Sequence, residues 1–172
     1  MYRLRFIKMI IICIFSKQRK LLDNFDLYFL ALPFIDTDVA RLFTQTYATY
    51  MGLGRWHFVF NSDFRSVALK QKWVPVTTSE MITYKKSIRA FSKVTLRTRL
   101  LCWDDRRFYL EQIFYVNQEI YAHAYVEGSI RSPRGFLKPT EVFLDSGVKE
   151  TSPEFPDAIQ LWIAARVSVF HS

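Results

Sequence analysis

Ala40-Arg-Leu-Phe43-Thr-Gln-Thr-Tyr47-Ala-Thr-Tyr-Met51-Gly-Leu-Gly54-Arg-Trp-His-Phe58-Val-Phe60 is the longest stretch of this sequence with a single periodicity. Ala40, Phe43, Tyr47, Met51, Gly54 and Phe58 recur at steps of three and four, which is the helical period, and no proline interrupts them. The spacing predicts one long helix over positions 40 to 60. Its apolar positions form a broad band instead of a narrow stripe, as expected of a helix with a sheet wrapped around it.

Outward from that helix the chain reads as strands. Upstream, Phe25-Asp-Leu-Tyr-Phe-Leu-Ala-Leu-Pro33 is rich in strand formers and stops at a proline. A loop carrying Asp36 and Asp38 then leads into the helix. Downstream, Val67 to Gln71 suggests a short second helix. Trp73 to Val76 reads as a short extended piece, and Glu80 to Ile88 alternates imperfectly. Val94, Leu96, Thr98 and Leu100 alternate with Thr95, Arg97 and Arg99, the pattern of a half-buried strand. Asp104-Asp105 and Asn117-Gln118 read as turns that join this strand to Phe108–Tyr115 and then to Ile120–Arg131, a meander of antiparallel strands. Four prolines punctuate the end of the chain, where Ala158 to Val169 suits a final short helix or an edge strand. One long helix followed by antiparallel strands defines an α+β class in which a curved antiparallel sheet wraps one long central helix, the hotdog fold. The expected organisation is a basic and apolar arm at 1–20, the domain proper at 21–145, and a tail at 146–172 that packs on it.

Bulk properties narrow the function. The chain has 172 residues, enough for one core, and half of them are apolar with 17% aromatic, which excludes disordered and low-complexity classes. The net charge of +8 favours acidic partners. Because the cations are dispersed and no helix-turn-helix, zinc-finger or RNP signature is present, nucleic acid is not among the expected partners. The two cysteines, Cys13 and Cys102, lack a CxxC or Cys/His cluster, so neither a disulfide framework nor a metal site is expected, and a cytoplasmic location follows. Met9 to Phe15 is only seven apolar residues between basic flanks. That is too short for a bilayer span of about 20 and lacks a cleavage site. The arm is expected either to pack on the domain or to lie on an anionic membrane surface.

Particular motifs carry a resemblance. Leu100-Leu-Cys-Trp103-Asp-Asp-Arg-Arg-Phe108-Tyr-Leu-Glu-Gln112 resembles a strand, turn, strand segment of the thioesterase-like family related to 4-hydroxybenzoyl-CoA thioesterase. Leu21-Leu-Asp23, Gly54-Arg55, Trp73-Val-Pro75-Val76, a basic hairpin Tyr84-Lys-Lys-Ser-Ile88-Arg89-Ala-Phe91, and Pro133-Arg134-Gly135 follow in the family's order. The resemblance spans about residues 1 to 145. It implies hydrolysis of an acyl-CoA or other acyl thioester, no cofactor beyond the coenzyme A of the substrate, and a homodimer or tetramer formed by sheet edges with the site between subunits.

The chain departs from the family at the helix entry. Relatives place two acidic residues there, one position apart, and then His-Met-Asn-Asn and a Tyr. With Pro33, Tyr47, Gly54 and Arg55 as fixed points, Ile35 and Thr37 stand at the acidic positions, Arg41 at the histidine, and Phe43 and Thr44 at the asparagines, while Tyr47 matches. A shift of one residue brings Asp36 and Asp38 into the acidic positions.

Hydrolysis needs a carboxylate to activate water and backbone N–H groups to hold the oxyanion. Asp36 and Asp38 are the candidate carboxylates, or else helix-entry turn residues; Tyr47 and Thr44 are candidate participants, or else packing and helix-bonding residues. Lys85, Lys86, Arg89 and Arg134 are the candidate coenzyme A phosphate ligands, or else solvated cations. His57 and His123 read as structural. The departures at Arg41 and Phe43 leave open a hotdog protein that binds an acyl or aromatic ligand, or serves as a scaffold, without turnover.

Overall fold

In the computed structural model, residues 2–38 and 40–170 are described, with the side chains of residues 2 and 167–170 left aside. The elements run α1 (Tyr2–Phe15), β1 (Phe25–Leu30), α2 (Thr44–Asn61), α3 (Arg65–Lys70), β2 (Val74–Tyr84), β3 (Lys93–Trp103), β4 (Phe108–Val116), β5 (Glu119–Ser132), β6 (Gly135–Leu137), α4 (Pro139–Ser146) and α5 (Asp157–Phe170). The strands form one antiparallel sheet in the order β1-β3-β4-β5-β2, with β6 beside the end of β5.

The sheet curls around α2, a rod of 18 residues and about 27 Å. Tyr47, Tyr50, Met51, Leu53, Phe58 and Val59 of α2 are buried against Phe25, Leu96, Phe114, Ala124 and Val126 of the strands. Phe29 stacks flat on Tyr50 at 3.6 Å between centroids, and Tyr47 meets the edge of Phe114 at 5.0 Å. Register shifts between Leu100 and Cys102, between Phe114 and Tyr115, and between Thr77 and Ser79 supply the bulges that bend the layer.

Helix and sheet approach most closely at Gly54. A Cβ there would lie 2.8 Å from Gln112 Nε2 and Thr98 Oγ1 and 2.9 Å from Leu96 Cδ2. Gln112 is fully buried, and its amide is satisfied: it donates to the Met51 carbonyl (3.0 Å) and Thr98 Oγ1 (2.9 Å) and accepts from Arg55 (3.1 Å). The absence of a side chain at position 54 therefore lets a buried polar side chain of β4 reach the backbone of α2.

The remaining helices cover what the sheet leaves open. α4 closes one end of the core, where Phe143 packs on Trp103 at 4.6 Å and on Phe64 and Phe108 at 5.9 Å. α5 lies on the opposite face of the sheet, with Ile159 fully buried beside Cys102 and Tyr109, and Arg166 reaches the buried Glu127 at 2.5 Å. α1 packs on α2 through Phe6 against Trp56 (5.6 Å), with Met9 and Cys13 buried, and is tied to α3 by a bond from Arg65 to the Cys13 carbonyl (2.5 Å).

Three expectations are corrected in detail. The central helix starts at Thr44 because Asp38 Oδ1 accepts the N–H groups of Ala40 and Arg41 and so turns the chain just ahead of it. The two extended pieces after Trp73 are one strand, β2, whose bulge at Thr77/Ser79 shifts the alternation. Residues 85–92 are not a hairpin: β2 and β3 are separated in the sheet by β4 and β5, so this segment is a crossover along the end of the sheet. Of the two readings open for the final apolar stretch, helix or edge strand, the helix holds, as α5.

Gly54→Ala should lower the unfolding free energy by about 1–3 kcal/mol, as overpacking does when the neighbours cannot retreat. Urea denaturation followed by tryptophan fluorescence checks this, and an unchanged midpoint would contradict the close approach.

Candidate functional site at the start of the central helix

Two loops are sewn together where α2 begins. The N–H of Leu42 donates to the Ile88 carbonyl (2.8 Å), Ala90 to Ala40 (2.9 Å) and Phe91 to Ala31 (2.8 Å), and Arg41 pairs with Arg89 in an isolated bridge. The helix entry and the β2–β3 crossover thus form one layer around the first turn of α2. Among the described residues no side chain caps α2, so the N–H groups of Thr44 and Gln45 stay available at its positive dipole end.

Asp36 is buried beneath this turn. Its carbonyl accepts the Phe43 N–H and the Thr46 hydroxyl, both at 3.0 Å. Its carboxylate is held through one oxygen only: Oδ2 accepts from Arg5 at 2.6 Å and from the Leu32 N–H at 2.8 Å. Oδ1 makes no hydrogen bond among the described residues. Asp36 is therefore an oriented carboxylate with one oxygen unspoken for.

Asp38 differs. It is exposed, and its Oδ1 bonds to Arg41 and Ala40 N–H groups hold its carboxyl below the usual range, as in a turn-forming aspartate. Thr44 is the first residue of α2 and is exposed. Tyr47 is buried, with its ring edge-on to Tyr84 at 5.0 Å and its hydroxyl accepting from the Ile88 N–H at 3.4 Å; burial pushes its phenol up. It ties α2 to the crossover.

The candidate cations are divided. Arg89 and Lys85 are exposed and stand on the crossover layer, joined there by Arg41. Lys86 is paired with Glu119, whose bond raises the ammonium pKa and lowers the carboxyl. Arg134 stands apart from the others within one chain: it sits in the β5–β6 turn, whereas Lys85 is bonded to Tyr121 at the start of β5. These ends lie roughly 30 Å apart along the strand. Arg41 was missed as a cation of the site; its signal in the sequence was its place at the family's histidine position.

Neither histidine stands at this end of α2. Burial, with a smaller contribution from Arg19 and against that of Asp26, pushes His57 down to about 4. His123 faces away from α2 and pairs with Glu111 at 2.9 Å beside Arg99. Burial pushes the thiols of Cys13 and Cys102 up to about 11 and about 12, so neither is a ready nucleophile. Among the described residues no group of His, Cys, Asp and Glu could hold a metal ion, and no helix is long and apolar enough to cross a membrane.

With this geometry in view, comparison with known proteins is informative. Residues 33–163 match the thioesterase-like superfamily, and the chain belongs to it. It is 37% identical over 82 residues to Protein THEM6 of Xenopus laevis, a match covering 48% of this chain and 39% of that protein. It is 23% identical over 155 residues to Protein THEM6 of Drosophila melanogaster, covering 88% and 78%. Among solved structures, it is similar to a gentisyl-coenzyme A thioesterase (TM-score 0.60, 20% identity, 70% of this chain and 98% of that one) and to the DHNA-CoA thioesterase of Staphylococcus aureus (0.59, 18%, 73% and 89%). A third is a Staphylococcus aureus protein solved in complex with CoA (0.57, 14%, 87% and 87%). At these identities the structures bear on the fold, and they agree on the hotdog.

Proposed function

We propose that this protein binds an acyl-CoA or a similar acyl thioester at the start of α2 and hydrolyses it to the free acid and the thiol. The observation that carries the reading is the half-engaged carboxylate of Asp36 directly beneath an uncapped helix start. Asp36 Oδ1 takes a proton from water as the water oxygen attacks the thioester carbonyl carbon. The developing oxyanion is held by the Thr44 and Gln45 N–H groups. When the C–S bond breaks, Asp36 returns the proton to the leaving thiolate. Arg5 and the Leu32 N–H orient the carboxylate throughout. The family and the CoA-related structural neighbours support the substrate class.

Binding without turnover is the second reading, favoured by the depth of Asp36, only 6% exposed behind Arg5. Free-thiol release over a panel of acyl-CoA chain lengths separates the two. Hydrolysis predicts turnover that falls by about 10²–10⁴-fold in Asp36→Asn. Equal turnover in wild type and variant removes Asp36 from the chemistry, and binding with no turnover in wild type favours the second reading.

A second copy fits along the free edge of β2. Pairing about a two-fold axis is antiparallel, so it sets the Val74 end of one β2 beside the Tyr84 end of the other. Arg134 near the first end would then approach Lys85 and Arg89 of the other copy, which assembles the phosphate-binding cations across the interface. Light scattering should give twice the mass of the chain; a monomer at micromolar concentration would contradict this arrangement.

Contact with an anionic membrane surface belongs to the same proposal. Leu4, Ile7, Ile11, Ile14 and Phe15 of α1 are all at least half exposed, and Arg3, Lys8 and Lys17 flank them. Co-sedimentation with anionic vesicles at low salt is expected and should be lost in Ile7→Glu/Ile11→Glu. No co-sedimentation of the wild type would exclude it.

A further inference from the structure

α1 is apolar on more than one side. One side packs on α2 through Phe6 and Cys13, and a second is the exposed face just described. A third side looks across a gap to β1. This gap is a groove of about 320 Å³ walled by Met9 and Ile12 of α1, by Leu27 and Leu30 of β1, and floored by Leu53 of α2. Its volume lies at the lower end of small-molecule sites, about 300–1,000 Å³.

The groove extends along both walls. From Leu4 to Ile12 along α1 it runs roughly 12 Å, and from Leu27 along β1 to Leu32 just beyond it roughly 16 Å. Its lining is mainly aliphatic, with two cations, Arg5 and Lys8, on the α1 side; Lys8 pairs with no carboxylate among the described residues. The hydroxyl of Tyr50, another lining residue, is buried without a partner. The groove also connects with the chemistry already described, since Arg5 lines it and holds Asp36 at 2.6 Å, and Leu32 lines it and donates its N–H to the same carboxylate oxygen.

We infer that this groove holds the hydrocarbon chain of a medium-chain acyl ligand, with the polar head of that ligand at the Arg5–Asp36 end. A hydrocarbon chain matches a mainly aliphatic slot that extends between three elements, and the cations match an anionic or strongly polar head. α1 and β1, which supply most of the groove's walls, precede residues 33–163, the part of the chain matched to the superfamily. The inference rests on the proposed acyl-thioester function for the identity of the head group, while the chain-binding groove stands on its own lining.

The test uses the full chain with two probes, dodecanoyl-CoA and free dodecanoate, titrated calorimetrically against wild type, Ile12→Trp and Leu30→Trp. Ile12 and Leu30 are 47% and 41% exposed on opposite walls, so an indole at either fills the groove without entering the core. Thermal denaturation of each variant confirms folding. The expected result is that both probes bind wild type and that each variant weakens both at least tenfold, while the affinity for CoA without an acyl chain is unchanged. If dodecanoate binds and is lost in the variants but dodecanoyl-CoA does not bind wild type, the groove is upheld and the thioester function fails. If the variants bind both probes as wild type does, the inference is overturned. Failure of wild type to bind either probe also overturns it and leaves the open edge of β1 to an extended polypeptide.

Discussion

The molecule depends on one close approach: α2 must sit deep enough in the concave face of the sheet for Gln112 of β4 to reach the Met51 carbonyl past Gly54. Any side chain at position 54 would meet Gln112 and Thr98 at under 3 Å. Because the approach is so tight, helix and sheet share a buried polar link inside an otherwise apolar core. The amide of Gln112 is affordable there because both of its ends find partners; unmet, a buried amide costs about 1–3 kcal/mol. Seating α2 at this depth also determines where its first turn emerges, and that turn is where the proposed site lies.

That emergence point explains how the site is put together. The helix entry cannot run straight into α2, because Asp38 turns it, and the turn lets Leu42 and Ala40 bond to the crossover from β2 to β3. Two loops from distant parts of the chain then surround an uncapped helix start, with Asp36 beneath it and Arg41 and Arg89 bridged through their backbones in the two loops. Under the proposed function, the positive dipole end and the nearby cations would favour the phosphates of a CoA-type ligand and the oxyanion of an attacked thioester. Asp36 and Asp38, two residues apart, do opposite jobs: one is oriented and half-engaged, the other spends its carboxylate on a turn.

Much of this architecture was legible in the chain. The three-and-four spacing from Ala40 to Phe58 marked α2, and strict alternation from Val94 to Leu100 marked β3, because these elements bury one well-defined face. The boundaries that escaped did so for local reasons. The Thr77/Ser79 bulge broke the alternation of β2, the Asp38 turn displaced the start of α2, and strand order, which makes residues 85–92 a crossover, is not encoded in any local pattern. At the site, the acidic positions were readable but their roles were not. Arg5, the partner that distinguishes Asp36, lies 31 residues away on a helix whose packing could not be foreseen. The separation of Arg134 from Lys85 likewise needed the length of β5.

The central claim, that α2 is the enclosed core of the molecule, is tested most directly by native-state hydrogen exchange. The amides of α2 from Tyr50 to Phe58 should exchange only on global unfolding, together with those of β3, β4 and β5, while α1 and α5 exchange faster through local opening. Exchange of the α2 amides at the rate of α1 or α5 would mean that the helix is not enfolded by the sheet, and the account would fail.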